Sequence, residues 1–123
     1  MSSLRLETSG LKTAFRPGEE VSGMAMWQLD KPPKTIEIRL FWYTSGKGTQ
    51  DVGVVDTVRF DQPPQSHATR FMTRMPAGPY SFSGRLVSVL WALELVVLPS
   101  GETERLDLTF SPTGNEILLR GPP

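Results

Sequence analysis

The chain has 123 residues, the size of one domain with a hydrophobic core of its own. Its 13 Lys and Arg residues balance 13 Asp and Glu residues, so no net charge steers it toward nucleic acid or an anionic membrane. The absence of cysteine excludes disulfides, thiol nucleophiles and thiolate zinc sites. We therefore expect a single domain over residues 1–123 that holds no cofactor.

The N-terminal segment 1–10 lacks the apolar stretch of a signal peptide. The longest apolar run, 86–98, is interrupted by Ser88 and Glu94 and is too short to cross a bilayer as a helix. These features, with the lack of cysteine, predict a cytoplasmic protein without a membrane span.

Eleven prolines and eleven glycines divide the chain into pieces that suit short strands better than helices. Apolar and polar residues alternate within these pieces: Ile36, Ile38, Leu40 and Trp42 share one predicted face. Seven antiparallel strands in an immunoglobulin-like sandwich of two sheets are the predicted all-β fold, since one flat sheet of this size would not bury them. The predicted strands span 3–8, 20–29, 35–44, 52–61, 67–74, 85–98 and 103–110.

The segment 86–98 is apolar on both faces and is predicted to be a central strand covered on both sides. A helix is the alternative, because Leu, Ala and Glu are good helix formers, but the valines and the missing N-cap favour a strand. Within this strand Glu94 is either paired, with Arg39 or Arg59 as candidate partners, or faces solvent.

The chain ends in an apolar triplet, Ile117 to Leu119, within the predicted C-terminal tail 115–123. It is either a short last strand followed by a frayed tail, or an exposed strand that pairs with an edge, in its own chain or in a second copy.

Candidate chemical sites are few. The segment 44–49 lacks the spacing of a phosphate loop, and His67 is the only histidine, so a multi-histidine metal site is excluded. The pairs Glu19 with Glu20, and Asp51 with Asp56, offer carboxylates for acid–base work or calcium, but both lie beside predicted turns, where carboxylates usually face water. The three tryptophans, which fall in inward registers and are expected in the core, are Trp27, Trp42 and Trp91.

Three segments resemble the arrestin-like superfamily. The segment 15–23 (FRPGEEVSG) is similar to the F-x-P-G-E-x-V-x-G motif that opens an early strand, with Pro17 and Gly18 placed for a type II turn. The segment 40–55 is similar to the strand, Gly-rich loop and aspartate of the N-terminal arrestin domain. The segment 79–95 is similar to the P-x-S-F-x-G turn and the strand after it.

The resemblance implies a two-sheet sandwich, no cofactor and a role as an adaptor or scaffold. No polar core of buried ion pairs and no tandem lysines match, so phosphate-triggered activation is not carried over. The family's receptor-inserted loop corresponds to 44–51, which makes the following residues the candidate contact surface: Ser45, Gly46, Lys47, Gly48, Thr49, Gln50 and Asp51.

The sequence therefore predicts a non-catalytic module that binds another protein. Two alternatives stay open: a structural subunit that self-assembles through sheet edges, as in a homodimer, and a small-ligand binder or enzyme.

Overall fold

The computed structural model describes residues 2–46, 50–83, 87–112 and 117–118, with the backbone alone given for residues 82, 83, 87, 117 and 118. Within these residues the chain forms strands and one 3₁₀ turn, Ser9–Leu11. The strands are β1 (Ser3–Thr8), β2 (Ala14–Phe15), β3 (Glu20–Gln28), β4 (Thr35–Gly46), β5 (Val52–Asp61), β6 (Ser66–Arg74), β7 (Phe82–Ser83), β8 (Val87–Leu98), β9 (Thr103–Phe110) and β10 (Ile117–Leu118).

The smaller sheet has the strand order β1-β3-β6 and is antiparallel throughout. Ala25 of β3 lies opposite Leu6 of β1 on one side and Thr69 of β6 on the other. The β6 strand forms one border of this sheet.

The larger sheet is built around β8, which pairs with β4 along its whole length. Its other side pairs with β7 at Ser88 and Val89 and with β9 from Trp91 to Val96, while β5 extends the sheet beyond β4. Two short pairings, β2 with β9 and β10 with β7, are parallel, whereas the seven predicted strands pair with one another antiparallel, as expected. Both β2 and β10 are two-residue strands, and a long stretch of chain separates each from the strand with which it pairs. A long connection allows two strands to run parallel, which a tight hairpin turn does not.

The alternating residues meet in one core between the two sheets, as predicted. Trp27 and Trp91 are buried, and their indole N–H groups donate to the carbonyl oxygens of Pro64 at 2.8 Å and Pro79 at 2.7 Å. Trp42 was expected in the core with them, but it is half-buried and packs against the core. A buried indole N–H without an acceptor would lower the stability of the fold, so the carbonyl oxygens of these two prolines help to fix the positions of the rings.

The segment 87–98 is a strand, so the helix alternative is wrong. Its inward residues Leu93 and Leu95 are inaccessible to solvent, and so is Ala92 on the opposite face. A strand bordered by neighbours on both sides buries β-branched residues well, which is why the valines decide against a helix here.

The turn before β3 has the predicted type II geometry. Gly18 at its third position has φ of +75°, and the Glu19 N–H donates to the Arg16 carbonyl at 3.1 Å. Proline at the second position and glycine at the third meet the two dihedral requirements of this turn.

At the chain end, Ile117 and Leu118 form β10 and pair with Phe82 and Ser83 of the same chain. Leu119 and the rest of the predicted tail to Pro123 lie outside the described residues. In the described part of the chain, no helix is long and apolar enough to cross a membrane.

Candidate functional site

The predicted contact loop is the end of the β4–β5 hairpin. The β4 strand continues two residues beyond its predicted end, because Ser45 and Gly46 pair with Ser88 and Val87 of β8. Ser45, Gly46, Gln50 and Asp51 are exposed, whereas Lys47, Gly48 and Thr49 lie outside the described residues.

Two hydrogen bonds close this hairpin. The Thr44 N–H donates to the Asp51 carbonyl at 2.9 Å, and the Asp51 N–H donates to the Thr44 hydroxyl oxygen Oγ1 at 2.8 Å. The carboxylate of Asp51 takes no part in either bond, so it can meet a partner without breaking the hairpin.

Tyr43 and Arg105 lie beside the hairpin end on the outer face of the larger sheet. The Arg105 guanidinium carbon lies 4.6 Å from the centroid of the Tyr43 ring, and Nη2 donates to the Tyr43 hydroxyl at 2.6 Å. Arg105 is also paired with Asp107 at 3.3 Å. A cation stacked on an aromatic ring is an ordered, partly desolvated group that a second protein can bury at low entropic cost.

We call the following residues together the hairpin face: Tyr43, Ser45, Gly46, Gln50, Asp51 and Arg105. Sequence reasoning missed Arg105, which is 62 residues from Tyr43 along the chain. The alternation of 103–110 does indicate that Arg105 and Asp107 face outward, because they alternate with the inward Leu106 and Leu108. The register of β9 against β8 could not be predicted, so the stacking of Arg105 on Tyr43 could not be either.

A small recess of about 190 Å³ adjoins the hairpin face and is lined in part by Tyr43, Leu90 and Asp107. It is smaller than the pockets that enclose metabolites. A wider depression of about 650 Å³ lies across β1, β3 and β6 and includes Arg5, Met26 and His67. Its lining holds no carboxylate, and so offers no acid–base pair.

The other candidate groups have ordinary structural surroundings. His67 is exposed, and its ring centroid lies 5.7 Å from that of Trp27. The carboxylate of Glu19 pairs with Lys12 and accepts the Arg16 N–H at 2.9 Å, whereas Glu20 lies opposite Arg74.

Asp51 and Asp56 are not brought together as an acid–base pair. Asp56 accepts a hydrogen bond from the Thr73 hydroxyl of the other sheet, while Asp51 lies at the hairpin end. In the described part of the chain, no group of three His, Asp or Glu side chains is placed to hold a metal ion.

Glu94 is half-buried on the outer face of the larger sheet, between Arg39 on β4 and Arg105 on β9. Positive and negative side chains therefore alternate across this row of three strands. Of the two predicted partners, Arg39 lies opposite Glu94 but pairs with Glu37 at 2.6 Å. Arg59 lies opposite Glu37 on β5 and pairs with Asp61 at 2.8 Å, so within the described residues neither arginine forms an ion pair with Glu94.

No family profile and no curated protein matches the sequence. Among solved structures, the chain is similar to Spo0M, the sporulation control protein of Bacillus subtilis, with a TM-score of 0.61 and 19% sequence identity. The fold is an arrestin-like β-sandwich. The alignment covers 89% of this chain and 49% of Spo0M, so this arrestin-like sandwich corresponds to about half of that protein. At this identity the similarity concerns the fold alone.

Proposed function

We propose that this arrestin-like sandwich is a non-catalytic, protein-binding adaptor or scaffold module whose partner contacts the hairpin face. The partner is another protein, and binding takes place in the cytoplasm, where a chain without cysteine loses nothing to the reducing conditions. The module needs neither nucleic acid nor a cofactor for this role.

The observation that carries the proposal is the Tyr43–Arg105 stack next to the exposed hairpin end. Tyrosine and arginine are the residue types most often responsible for binding energy at protein interfaces. Ser45, Gln50 and Asp51 around them add exposed hydrogen-bonding groups, which suit the polar rim of such an interface.

The decisive experiment replaces Arg105 and compares partner capture from a lysate of the native cell by quantitative mass spectrometry. The immobilised Arg105→Ala variant is expected to capture at least about tenfold less of a partner than the parent does. The reason is that truncation of a hot-spot side chain costs more than about 1.4 kcal/mol of binding free energy. Asp51→Ala should weaken capture of the same partner.

Arg59→Ala is the matched control. Arg59 lies on the same outer face and pairs with Asp61 at 2.8 Å, as Arg105 pairs with Asp107, but it lies far along β5 from the hairpin end. Exposed ion pairs contribute little to folding, so each variant should keep the parent's stability within about 0.5 kcal/mol. Equal capture by the Arg105 and Arg59 variants would show that partners bind elsewhere.

A further inference from the structure

The strand β5 forms a border of the larger sheet: within the described residues it pairs with β4 and with no other strand. The hairpin hydrogen bonds define which of its main-chain groups are unpaired. Since Thr44 and Asp51 form a bonded pair, the alternation of an antiparallel ladder makes Tyr43–Val52 and Phe41–Val54 non-bonded pairs. Val52 and Val54 therefore direct their N–H and C=O groups away from the sheet.

The same two residues expose large apolar side chains. Val52 is 65% exposed and Val54 is 54% exposed, and both side chains lie on the outer face, beside Tyr43 and Phe41. An edge that combines unpaired main-chain groups with exposed valines is a template for another strand.

The second half of β5 is protected from such pairing. A β-bulge between the Leu40 and Phe41 positions leaves Val55 without a residue opposite it, and bulges bend an edge away from regular pairing. Beyond the bulge, Arg59 and Asp61 form an exposed ion pair at 2.8 Å. Charged side chains disfavour addition of a strand at an edge, so the open segment is Val52 to Val54.

We propose that the strand added at this edge is β5 of a second copy of the chain, antiparallel, with the two-fold axis at Gly53. This register places Val52 opposite Val54 of the partner subunit and Val54 opposite Val52 of the partner subunit. Four main-chain hydrogen bonds and two valine pairs form, and no charged side chain lies within the matched segment.

A second copy is favoured because Val52-Gly53-Val54 complements itself, which is what a two-fold interface requires. The net charge of the chain is zero, so two copies approach without long-range repulsion. The dimer is weak, since the paired segment is short. This inference goes beyond the proposed function, because it concerns the open edge of β5 and a different partner.

Sedimentation equilibrium of the purified full chain, from about 10 μM to about 1 mM, tests the proposal. The weight-average mass of the parent is expected to rise from 13.7 kDa toward twice that value. Val54→Lys and Val52→Lys should each weaken association at least about tenfold, because lysine is a residue that protects natural edges. Met72→Lys, at an exposed position of the border strand β6, is the matched control and should associate like the parent.

A parent that stays at the monomer mass at every concentration, or lysine variants that associate as the parent does, would overturn the proposal. Each outcome is read without any adaptor partner, so failure here leaves the proposed function standing. A thermal melt of each variant checks that it is folded. We expect both variants to fold, because both valine side chains are more than half exposed.

A spin label tests the register. The chain has no cysteine, so Arg59→Cys provides a unique attachment point. Arg59 is six residues from Gly53, and the bulge at Val55 shortens this to five strand steps of about 3.4 Å. With the axis at Gly53, electron–electron resonance should therefore give a distance of roughly 35 Å between the two labels. A distance under about 15 Å would mean pairing of the charged half of β5, and would overturn the proposal.

Discussion

Gly53 is placed where a side chain would collide with the core. A Cβ atom built on Gly53 would lie 2.3 Å from both Cε2 and Nε1 of Trp42, because the indole lies against the β5 backbone. The sequence predicted that Trp42 points inward, but a single sequence does not show which neighbouring residue the ring covers.

We expect Gly53→Ala to destabilise the fold by about 1–3 kcal/mol, since the indole must leave its position to admit the methyl group. The control is Gly78→Ala, where the added Cβ would meet no atom within 4 Å and φ is not positive, so the change should stay within about 0.5 kcal/mol. Urea denaturation followed by tryptophan fluorescence measures both. Equal midpoints for the two variants would contradict the close packing of Gly53 on Trp42.

Residue-level chemistry shows how far the candidate site could be predicted. Ser45, Gln50 and Asp51 are exposed, but Ser45 belongs to β4 and pairs with Ser88, so the strand extends into the segment that was predicted as a loop. Arg105 was not predicted, since its contact with Tyr43 depends on how β9 aligns with β8, and alternation does not determine that register.

At the scale of elements, the seven predicted strands are all present, with ends displaced by at most two residues. Alternation and turn residues were sufficient for these, because each buries a face. The three two-residue strands β2, β7 and β10 were not among the predicted ranges, though a short last strand at Ile117 was an open alternative. A segment of two residues has no period, and its pairing depends on neighbours that only the fold brings near.

The last strand gives a prediction at this scale. Leu118→Pro removes a backbone donor and prevents regular pairing of β10 with β7, so we expect stability to fall by about 1–3 kcal/mol. Differential scanning calorimetry checks this, and a chain truncated after residue 112 serves as a reference that should lose at least as much. If the proline variant melts like the parent, the β10–β7 pair contributes nothing to folding.

At the scale of the whole molecule, a side-chain hydrogen bond joins the two sheets beside the open edge. The Thr73 hydroxyl of β6 donates to the carboxylate of Asp56 on β5, and Thr73 itself is 6% exposed. Both strands are borders of their sheets, and within the described residues no backbone pairing connects the two sheets there. The side-chain bond therefore links the sheets at this side of the sandwich. Composition and periodicity predicted the two layers, but not which of their borders are tied by side chains.

Thr73→Val keeps the shape of the side chain and removes the donor. We expect the free energy of unfolding to fall by about 0.5–1.5 kcal/mol. Hydrogen bonds to charged groups can contribute more, but Asp56 is exposed and water can replace the hydroxyl. Thr69→Val is the matched control on the same strand, since its hydroxyl donates only to the adjacent Arg70 carbonyl at 3.3 Å. Hydrogen exchange should also show faster exchange of the β5 and β6 amides in Thr73→Val, because loss of the bond lets the two borders separate. If both variants exchange and unfold like the parent, packing alone holds the sheets together at this side, and the bond between Thr73 and Asp56 is incidental to stability.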